Sequence, residues 1–281
     1  MKNIICKDHT VSSENFELVY DSDLEMYKTD PQPSEEKLPS YYQSADYISH
    51  TDAKESLIDK VYQMVRNYTI SKKVKLIHSF NTSDQRLLDI GCGTGDFLKV
   101  AENKNWIVSG VEPNQQARDL AQKKISESGS IVSDLGDLLN TSNQFDVITM
   151  WHVLEHVPNL DAYIDSLKKL LKQDGVLVVA VPNFKSHDAK HYKQFWAAYD
   201  VPRHLWHFSQ KSIKEIFQKY QMTLVQVLPM RFDSYYVSLL SEKYKTGKSH
   251  FVSALWNGFV SNWKAKRTNE YSSLIYIIKN S

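Results

Sequence analysis

The sequence predicts a doubly wound α/β fold, and three observations carry that prediction. Short apolar runs alternate with helical stretches from residue 86 to the end of the chain. The run RLLDIGCGTGDFL, Arg86 to Leu98, passes from strand to glycine turn to helix without interruption. The run VLVVAV, residues 176–181, is apolar at every position, as a strand covered on both faces should be. Right-handed crossovers between such strands give a mostly parallel sheet.

The elements follow in order. Residues 1–50 have no clear periodicity, and Pro31, Pro33 and Pro39 favour an extended arm over a helix. From Thr51, a plausible cap, Leu57, Val61, Met64, Val65 and Tyr68 share one helical face. Leu87 to Ile90 form the first strand of the sheet, and Phe97, Leu98, Val100 and Ala101 resume at helical spacing. WIVSGVEP is the second strand, followed by a helix capped by Asn114. SIVSD and FDVITMW are the third and fourth. The clearest helix is NLDAYIDSLKKLLKQDG: Asn159 caps it, Leu160, Tyr163, Ile164, Leu167, Leu170 and Leu171 form its stripe, and Gly175 ends it. VLVVAV is the fifth strand, and LVQVLPMRF and YSSLIYIIK are the last two. Between those two lies a long connection, 233–270, with helical aromatic spacing.

Composition narrows the class. At 281 residues, 42% hydrophobic and 24% charged, the chain has the balance of an ordinary globular protein. Its 34 basic and 33 acidic side chains argue against nucleic-acid binding through bulk charge. Two cysteines, Cys6 and Cys92, cannot build a disulfide framework, which points to a reducing, cytoplasmic setting. MKNIICKDHTV has too short an apolar run for a signal peptide, and no apolar stretch is long enough for stable membrane insertion.

In a parallel sheet, ligands bind beyond the carboxyl ends of the strands. The distinctive residues fall there: Gly91 to Gly95 after the first strand, Glu112 after the second, Asp134 after the third, and Met150, Trp151 and His152 after the fourth. Glu112 stands about 20 residues beyond the first glycine, where a carboxylate can accept from both hydroxyls of a ribose. Asp134 can accept from an adenine amino group. A nicotinamide-dependent oxidoreductase also uses glycines and an acid, but its fingerprint spaces the third glycine one place later than GCGTG does.

LLDIGCGTGDFL, GVEPN and FDVITMWHVLEHVPN, in that order, resemble the signature blocks of class I S-adenosylmethionine-dependent methyltransferases. VLEHV resembles the small-molecule branch that includes ubiquinone-type O-methyltransferases. The resemblance spans roughly residues 85–230. It implies a Rossmann-like sheet of seven strands with the last antiparallel, S-adenosylmethionine as cofactor and S-adenosylhomocysteine as product. By that resemblance Asp89, Gly91, Cys92, Gly93 and Gly95 hold the methionine end of the cofactor. Glu112 with Pro113 meets the ribose, Asp134 with Leu135 the adenine, and Met150, Trp151 and His152 line the floor. Cys92 matches a common loop residue and is not thereby a nucleophile.

TDPQP and YYQSADYISH also resemble a segment that relatives carry after a small zinc ribbon. Only Cys6 matches that ribbon; Asp21 and Leu24 stand where paired cysteines are expected. Structural zinc needs about four ligands, so residues 1–50 are expected to be an arm or flap without metal, ahead of a methyltransferase domain over 51–281. YYQSADYISH is either a flap over the cleft or a packed aromatic arm.

Methyl transfer to a hydroxyl is helped by a base, and histidine is the usual one. His204 in YDVPRHLWHFS is the candidate, with Tyr199, Asp200 and Arg203 nearby. Asp200 and His152 are the further catalytic candidates. His156 reads more simply as a packed, hydrogen-bonded histidine. His187 and His191 have a spacing suited to a metal but no third ligand, so none is expected.

The connection 233–270 places Phe251, Leu255, Phe259 and Trp263 one turn apart, flanked by Lys243, Lys245, Lys248, Lys264, Lys266 and Arg267. A lid with core packing is favoured over a homodimer contact or a lipid-facing surface. The expected function is methyl transfer to a small-molecule acceptor, with O-methylation favoured. A nicotinamide oxidoreductase and a non-catalytic cofactor-binding protein stand as alternatives.

Overall fold

The computed structural model describes residues 1–34, 36–42, 57–139 and 144–281, with side chains of the first long helix from residue 63 onward. The Thr51 cap, the side chains of Leu57 and Val61, and residues 43–50 of the expected flap lie outside the described residues. In chain order the elements are β1 (Ile4–Lys7), β2 (Asn15–Asp21), β3 (Met26–Asp30), α1 (Leu57–His78), β4 (Arg86–Ile90), α2 (Asp96–Glu102), β5 (Ile107–Val111), α3 (Gln115–Lys124), β6 (Ser130–Val132), α4 (Gly136–Leu139), β7 (Phe145–Trp151), α5 (Leu160–Leu170), β8 (Leu171–Pro182), α6 (His187–Tyr192), β9 (Trp206–His207), α7 (Gln210–Lys219), β10 (Met222–Met230), α8 (Asp233–Thr246), α9 (Phe251–Thr268) and β11 (Ser273–Asn280).

Seven strands form the main sheet in the order β10-β11-β8-β7-β4-β5-β6. The strands from β6 to β8 run parallel, while β11 is antiparallel to both β8 and β10. This is the Rossmann-like sheet the sequence predicts. Leu87, Leu88, Val147, Ile148, Val178 and Val179 are fully buried along its centre. Each such side chain stabilises the fold by roughly 1.5–3 kcal/mol relative to exposure. Side-chain caps start the helices as the sequence implies: Asn114 accepts from Ala117 N, Asn159 from Ala162 N, and Ser209 from Ser212 N.

Four details differ from the sequence reading. The helix begun by Asn159 ends at Leu170, not Gly175, because Leu171 pairs with Phe145 and opens β8. The buried face of α1 is Val74 and Ile77, while Met64 and Tyr68 are exposed, since this helix docks through its C-terminal half. The N-terminal segment is not an extended arm. Strands β1, β2 and β3 form an antiparallel meander that β9 extends through Tyr27–His207 and Lys28–Trp206 pairs. Its two turns are closed by carboxylates. Asp8 accepts from Thr10 N (2.9 Å), Ser12 N (2.8 Å) and both hydroxyls, and Asp21 accepts from Asp23 N (2.9 Å) and Leu24 N (3.0 Å).

The fourth difference concerns 233–270, which forms an antiparallel pair of helices. The buried stripe of α9 is the small one, Ala254, Gly258, Ser261 and Ala265. A Cβ on Gly258 would lie 2.7 Å from the Tyr235 ring, so the two helices approach too closely for a larger residue. Phe251, Leu255, Phe259 and Trp263, the stripe expected to pack beneath a lid, are exposed, as are Val252 and Trp256. It is α8 that faces the crevice.

Candidate active site

The turn after β4 is held from below: Gly91 N and Cys92 N both donate to Val111 O, at 2.8 and 3.1 Å. Gly93 and Gly95 both have positive φ, 54° and 78°, but for different reasons. A Cβ on Gly95 would lie 2.9 Å from the Ala121 backbone, so this glycine lets α2 pack on α3. A Cβ on Gly93 would meet nothing within 4 Å, so its backbone faces open space. Glu112 closes β5 and draws the loop to itself: Oε2 accepts from Gly93 N (2.8 Å) and Oε1 from Asn114 N (2.9 Å). Each oxygen keeps acceptor capacity for a ligand hydroxyl. Pro113 O and Glu112 O are both held by Arg118.

Asp89 is buried beneath this loop and accepts from Thr149 Oγ1 at 2.6 Å. Burial pushes its carboxyl up to about 7, against the lowering effect of Thr149 and Lys73. The Cys92 thiol is buried too, and burial with the nearby Asp89 and Glu112 charges pushes it far up, so it stays a neutral thiol. Asp134 is exposed and accepts from Gly136 N (2.7 Å) at the start of α4, next to buried Leu135. Met150 is buried, and the Trp151 ring carries Lys73 Nζ 4.2 Å from its centroid.

Beyond His152 opens a cavity of about 680 Å3. Its wall is assembled from distant segments: Tyr41 and Tyr42; His152 and His156; Asp200, Arg203 and His204; Asp233, Tyr236, Val237, Leu240 and Tyr244; and Ser273. His152, with φ 58°, lies between two carboxylates: Nε2 is 3.0 Å from Asp233 Oδ2 and Nδ1 3.3 Å from Glu155 Oε1. Burial alone would lower its pKa, but the hydrogen bonds and charges of Asp233 and Glu155 overcome that and push it up to about 10. His156 Nδ1 lies 3.0 Å from Arg203 O and 2.9 Å from the Tyr42 hydroxyl. Burial, with His204 nearby, lowers its pKa to about 4. Asp200 is gripped by Arg203, at 2.6 Å and 3.0 Å, and Arg203 also reaches Asp8 at 3.2 Å and Tyr41 O at 3.0 Å. Burial would raise the Asp200 carboxyl, yet Arg203 and His204 hold it below the usual range. His204 donates Nδ1–H to Ala198 O (2.9 Å) and reaches the cavity with its other face.

The structure thus brings His152, Asp200 and His204 to one cavity, and the glycines, Glu112 and Asp89 to one loop. His207 is elsewhere, bonded to Thr29 Oγ1 (3.0 Å) inside the small sheet. Sequence reasoning missed Glu155, Asp233 and Lys73, while Tyr42 lies at the start of YYQSADYISH, the segment read as a flap or a packed arm. Glu155 lies in the VLEHV block, where nothing local marks the acid as buried. Asp233 and Lys73 carry no local signal, since an acid at a helix start and a lysine on a helix both read as solvated.

This strand order, with an open glycine loop and an acid closing the next strand, defines a class I S-adenosylmethionine-dependent methyltransferase, the class whose cofactor is S-adenosylmethionine. The sequence agrees: a profile described as a methyltransferase domain matches residues 62–227, more than half of the chain, and the chain belongs to that family. The chain is 33% identical over 108 residues to a ubiquinone biosynthesis O-methyltransferase of Actinobacillus pleuropneumoniae serotype 7, covering 35% of this chain and 46% of that one. The Rickettsia bellii protein of the same description is 27% identical over 143 residues, covering 48% and 59%. The chain therefore spans about half the length of the curated relatives it matches. Among solved structures, magnesium protoporphyrin IX methyltransferase from Synechocystis PCC 6803 with bound SAH shares the fold. Its TM-score is 0.57 at 15% identity, covering 88% of this chain and all of that one. A SAM-dependent methyltransferase from Archaeoglobus fulgidus gives 0.52 at 18%, over 76% and 94%. Family membership decides against the nicotinamide oxidoreductase alternative. No described helix is long and apolar enough to cross a membrane.

Proposed function

We propose that the protein transfers a methyl group from S-adenosylmethionine to a hydroxyl of a small molecule held in the 680 Å3 cavity. The observation that carries this reading is the adjacency of two spaces: the open backbone at Gly93 and the cavity beyond His152, at the ends of neighbouring strands. The similarity to O-methyltransferases supports oxygen as the acceptor. In this reading Gly91 to Gly95 and Asp89 hold the methionine end. Glu112 takes the ribose hydroxyls while Pro113 positions it, Asp134 and Leu135 meet the adenine, and Met150 and Trp151 form the floor.

The acceptor hydroxyl gives up its proton, its oxygen forms a bond to the methyl carbon, and the carbon–sulfur electron pair returns to sulfur, leaving S-adenosylhomocysteine. His204 is the better-placed base. His152, held as a cation between Asp233 and Glu155 at neutral pH, is suited to steady an acceptor oxyanion rather than to take a proton. Asp200, locked to Arg203, is a positioning residue. Alignment of acceptor and methyl group supplies much of the acceleration.

The test is incubation with isotopically labelled cofactor and a panel of hydroxylated aromatic and alicyclic acceptors. Label in a methyl ether is the expected result. Tight S-adenosylhomocysteine binding with no turnover on any acceptor would leave the non-catalytic reading instead.

A further inference from the structure

We propose that α9 docks the protein on the surface of an anionic lipid bilayer. Its Phe251, Val252, Leu255, Trp256, Phe259 and Trp263 are each more than half exposed. At about 3.6 residues per turn these side chains fall within one arc of about 140°. Beside that arc runs the buried stripe of Ala254, Gly258, Ser261 and Ala265. The close approach of Gly258 to Tyr235 fixes the rotation of the helix, so the aromatic face is left to solvent. Scattered exposed apolar residues are ordinary, but a contiguous face with two tryptophans and two phenylalanines marks a docking surface.

The charges around this face select the partner. Between Glu242 and Glu270 the chain carries Lys243, Lys245, Lys248, Lys264, Lys266 and Arg267 and no acid. Lys248 lies just before the helix, and the last three crowd its final turns. Two α9 helices packed face to face would set like charges together whether they ran parallel or antiparallel, which disfavours a second copy. Aromatic rings on one face, with lysine and arginine at its ends, form the pattern of a helix lying in the headgroup layer. The rings enter the acyl boundary, and the cations meet lipid phosphates. A groove of about 280 Å3 beside the C-terminal half of α9 is lined by Arg231, Phe232, Tyr235, Phe259, Trp263 and Lys266 among others. Two cations among aromatic walls suit the phosphate of a lipid headgroup.

The face extends beyond α9. Phe232 of that groove meets the exposed Tyr68 of α1 edge-on, with ring centroids 5.7 Å apart. Tyr236, one helical turn on, is exposed and lines the acceptor cavity. Docking thus sets the rim of the cavity at the bilayer. That consequence rests on the methyltransferase reading; the docking itself does not. The helix pair α8–α9 lies beyond residues 62–227, so this face is no part of what the family match covers.

Sedimentation of the full chain with lipid vesicles tests the proposal. It should bind phosphatidylcholine vesicles containing about 30% phosphatidylglycerol, and bind pure phosphatidylcholine at least about tenfold more weakly. Binding to the anionic vesicles should fall at least about tenfold in Leu255→Ser/Trp256→Ser and in Lys264→Gln/Lys266→Gln/Arg267→Gln. It should be unchanged in Leu120→Ser, which alters an exposed apolar residue of α3. No binding to either vesicle, or binding that survives Leu255→Ser/Trp256→Ser, overturns the proposal. So does a dimer in sedimentation velocity that the same variant dissociates, since a second copy would then cover the face. Circular dichroism confirms that each variant is folded; if the apolar variant fails that control, the basic one decides. Failure of S-adenosylhomocysteine to bind the wild-type chain would instead sink the methyltransferase reading, whatever the vesicles do.

Discussion

The two halves of the crevice are built by different means. On the cofactor side, five consecutive residues make the turn, one acid closes the neighbouring strand, and backbone groups do most of the holding. On the acceptor side, the cavity wall comes from at least five stretches of chain, joined by ion pairs and ring contacts. Arg203 ties two of them to the N-terminal sheet, since it bonds Asp200 of its own stretch, the Tyr41 carbonyl and Asp8 in the first turn of that sheet. A site made of contiguous backbone tolerates change around it. A site assembled from remote side chains depends on its junctions.

The largest effect should therefore come from a junction. Arg203→Ala leaves Asp8 and Asp200 without their partner and should cost about 3–5 kcal/mol of stability, as removal of one member of a buried ion pair does. Urea denaturation followed by tryptophan fluorescence would read it. A loss under about 1 kcal/mol would mean that the small sheet is held by its apolar contacts alone.

On the cofactor side, Gly95→Val should cost about 3 kcal/mol, because a positive φ and a 2.9 Å contact with Ala121 both oppose it. Gly93→Ala should cost only about 1 kcal/mol of stability, from the positive φ, while weakening cofactor binding. Equal effects of the two on stability would erase the distinction between a packing glycine and a ligand-facing one. His204→Ala should lower turnover about 100-fold with cofactor affinity nearly intact; wild-type rates would remove it as base. Glu112→Ala should weaken S-adenosylhomocysteine by at least about 1 kcal/mol, as a charged acceptor is lost, and calorimetry reads this directly.

The smallest effect concerns pH. His152 titrates near 10 in the fold against an ordinary value of 6.5. Its stabilising contribution is complete below about 6.5 and declines as pH rises toward 10, where the folded state also loses the proton. Stability should fall more steeply between pH 7 and 10 in the wild type than in His152→Gln. Parallel curves would mean that Asp233 and Glu155 do not hold the ring as a cation.

The fold was legible because its signals are local. Most sheet strands are short apolar runs, the helices begun by Asn114, Asn159 and Ser209 have identifiable caps, and GCGTG marks a turn through its glycines. The N-terminal sheet escaped because its strands, such as NFELVYD and MYKTD, mix charged residues with apolar ones, and its turns are closed by Asp8 and Asp21 rather than by glycine or proline. The misreading of α9 is instructive for the same reason. An aromatic stripe and a small-residue stripe run along one helix, and only close approach to Tyr235 selects the small one for burial.

The amino-acid order alone determined the strand–turn–helix unit, the acid at the end of the second strand and the glycine spacing that favours S-adenosylmethionine over a nicotinamide, because hydrophobic period and backbone freedom act over a few neighbouring residues. The tertiary structure alone decided that Glu155, His156 and His204 meet, that His152 sits between Asp233 and Glu155, and that Arg203 bolts a second sheet to the cavity. Those encounters are set by the packing of segments up to about 200 residues apart. A charge's partner, and with it the charge's protonation state, exists only once that packing is complete.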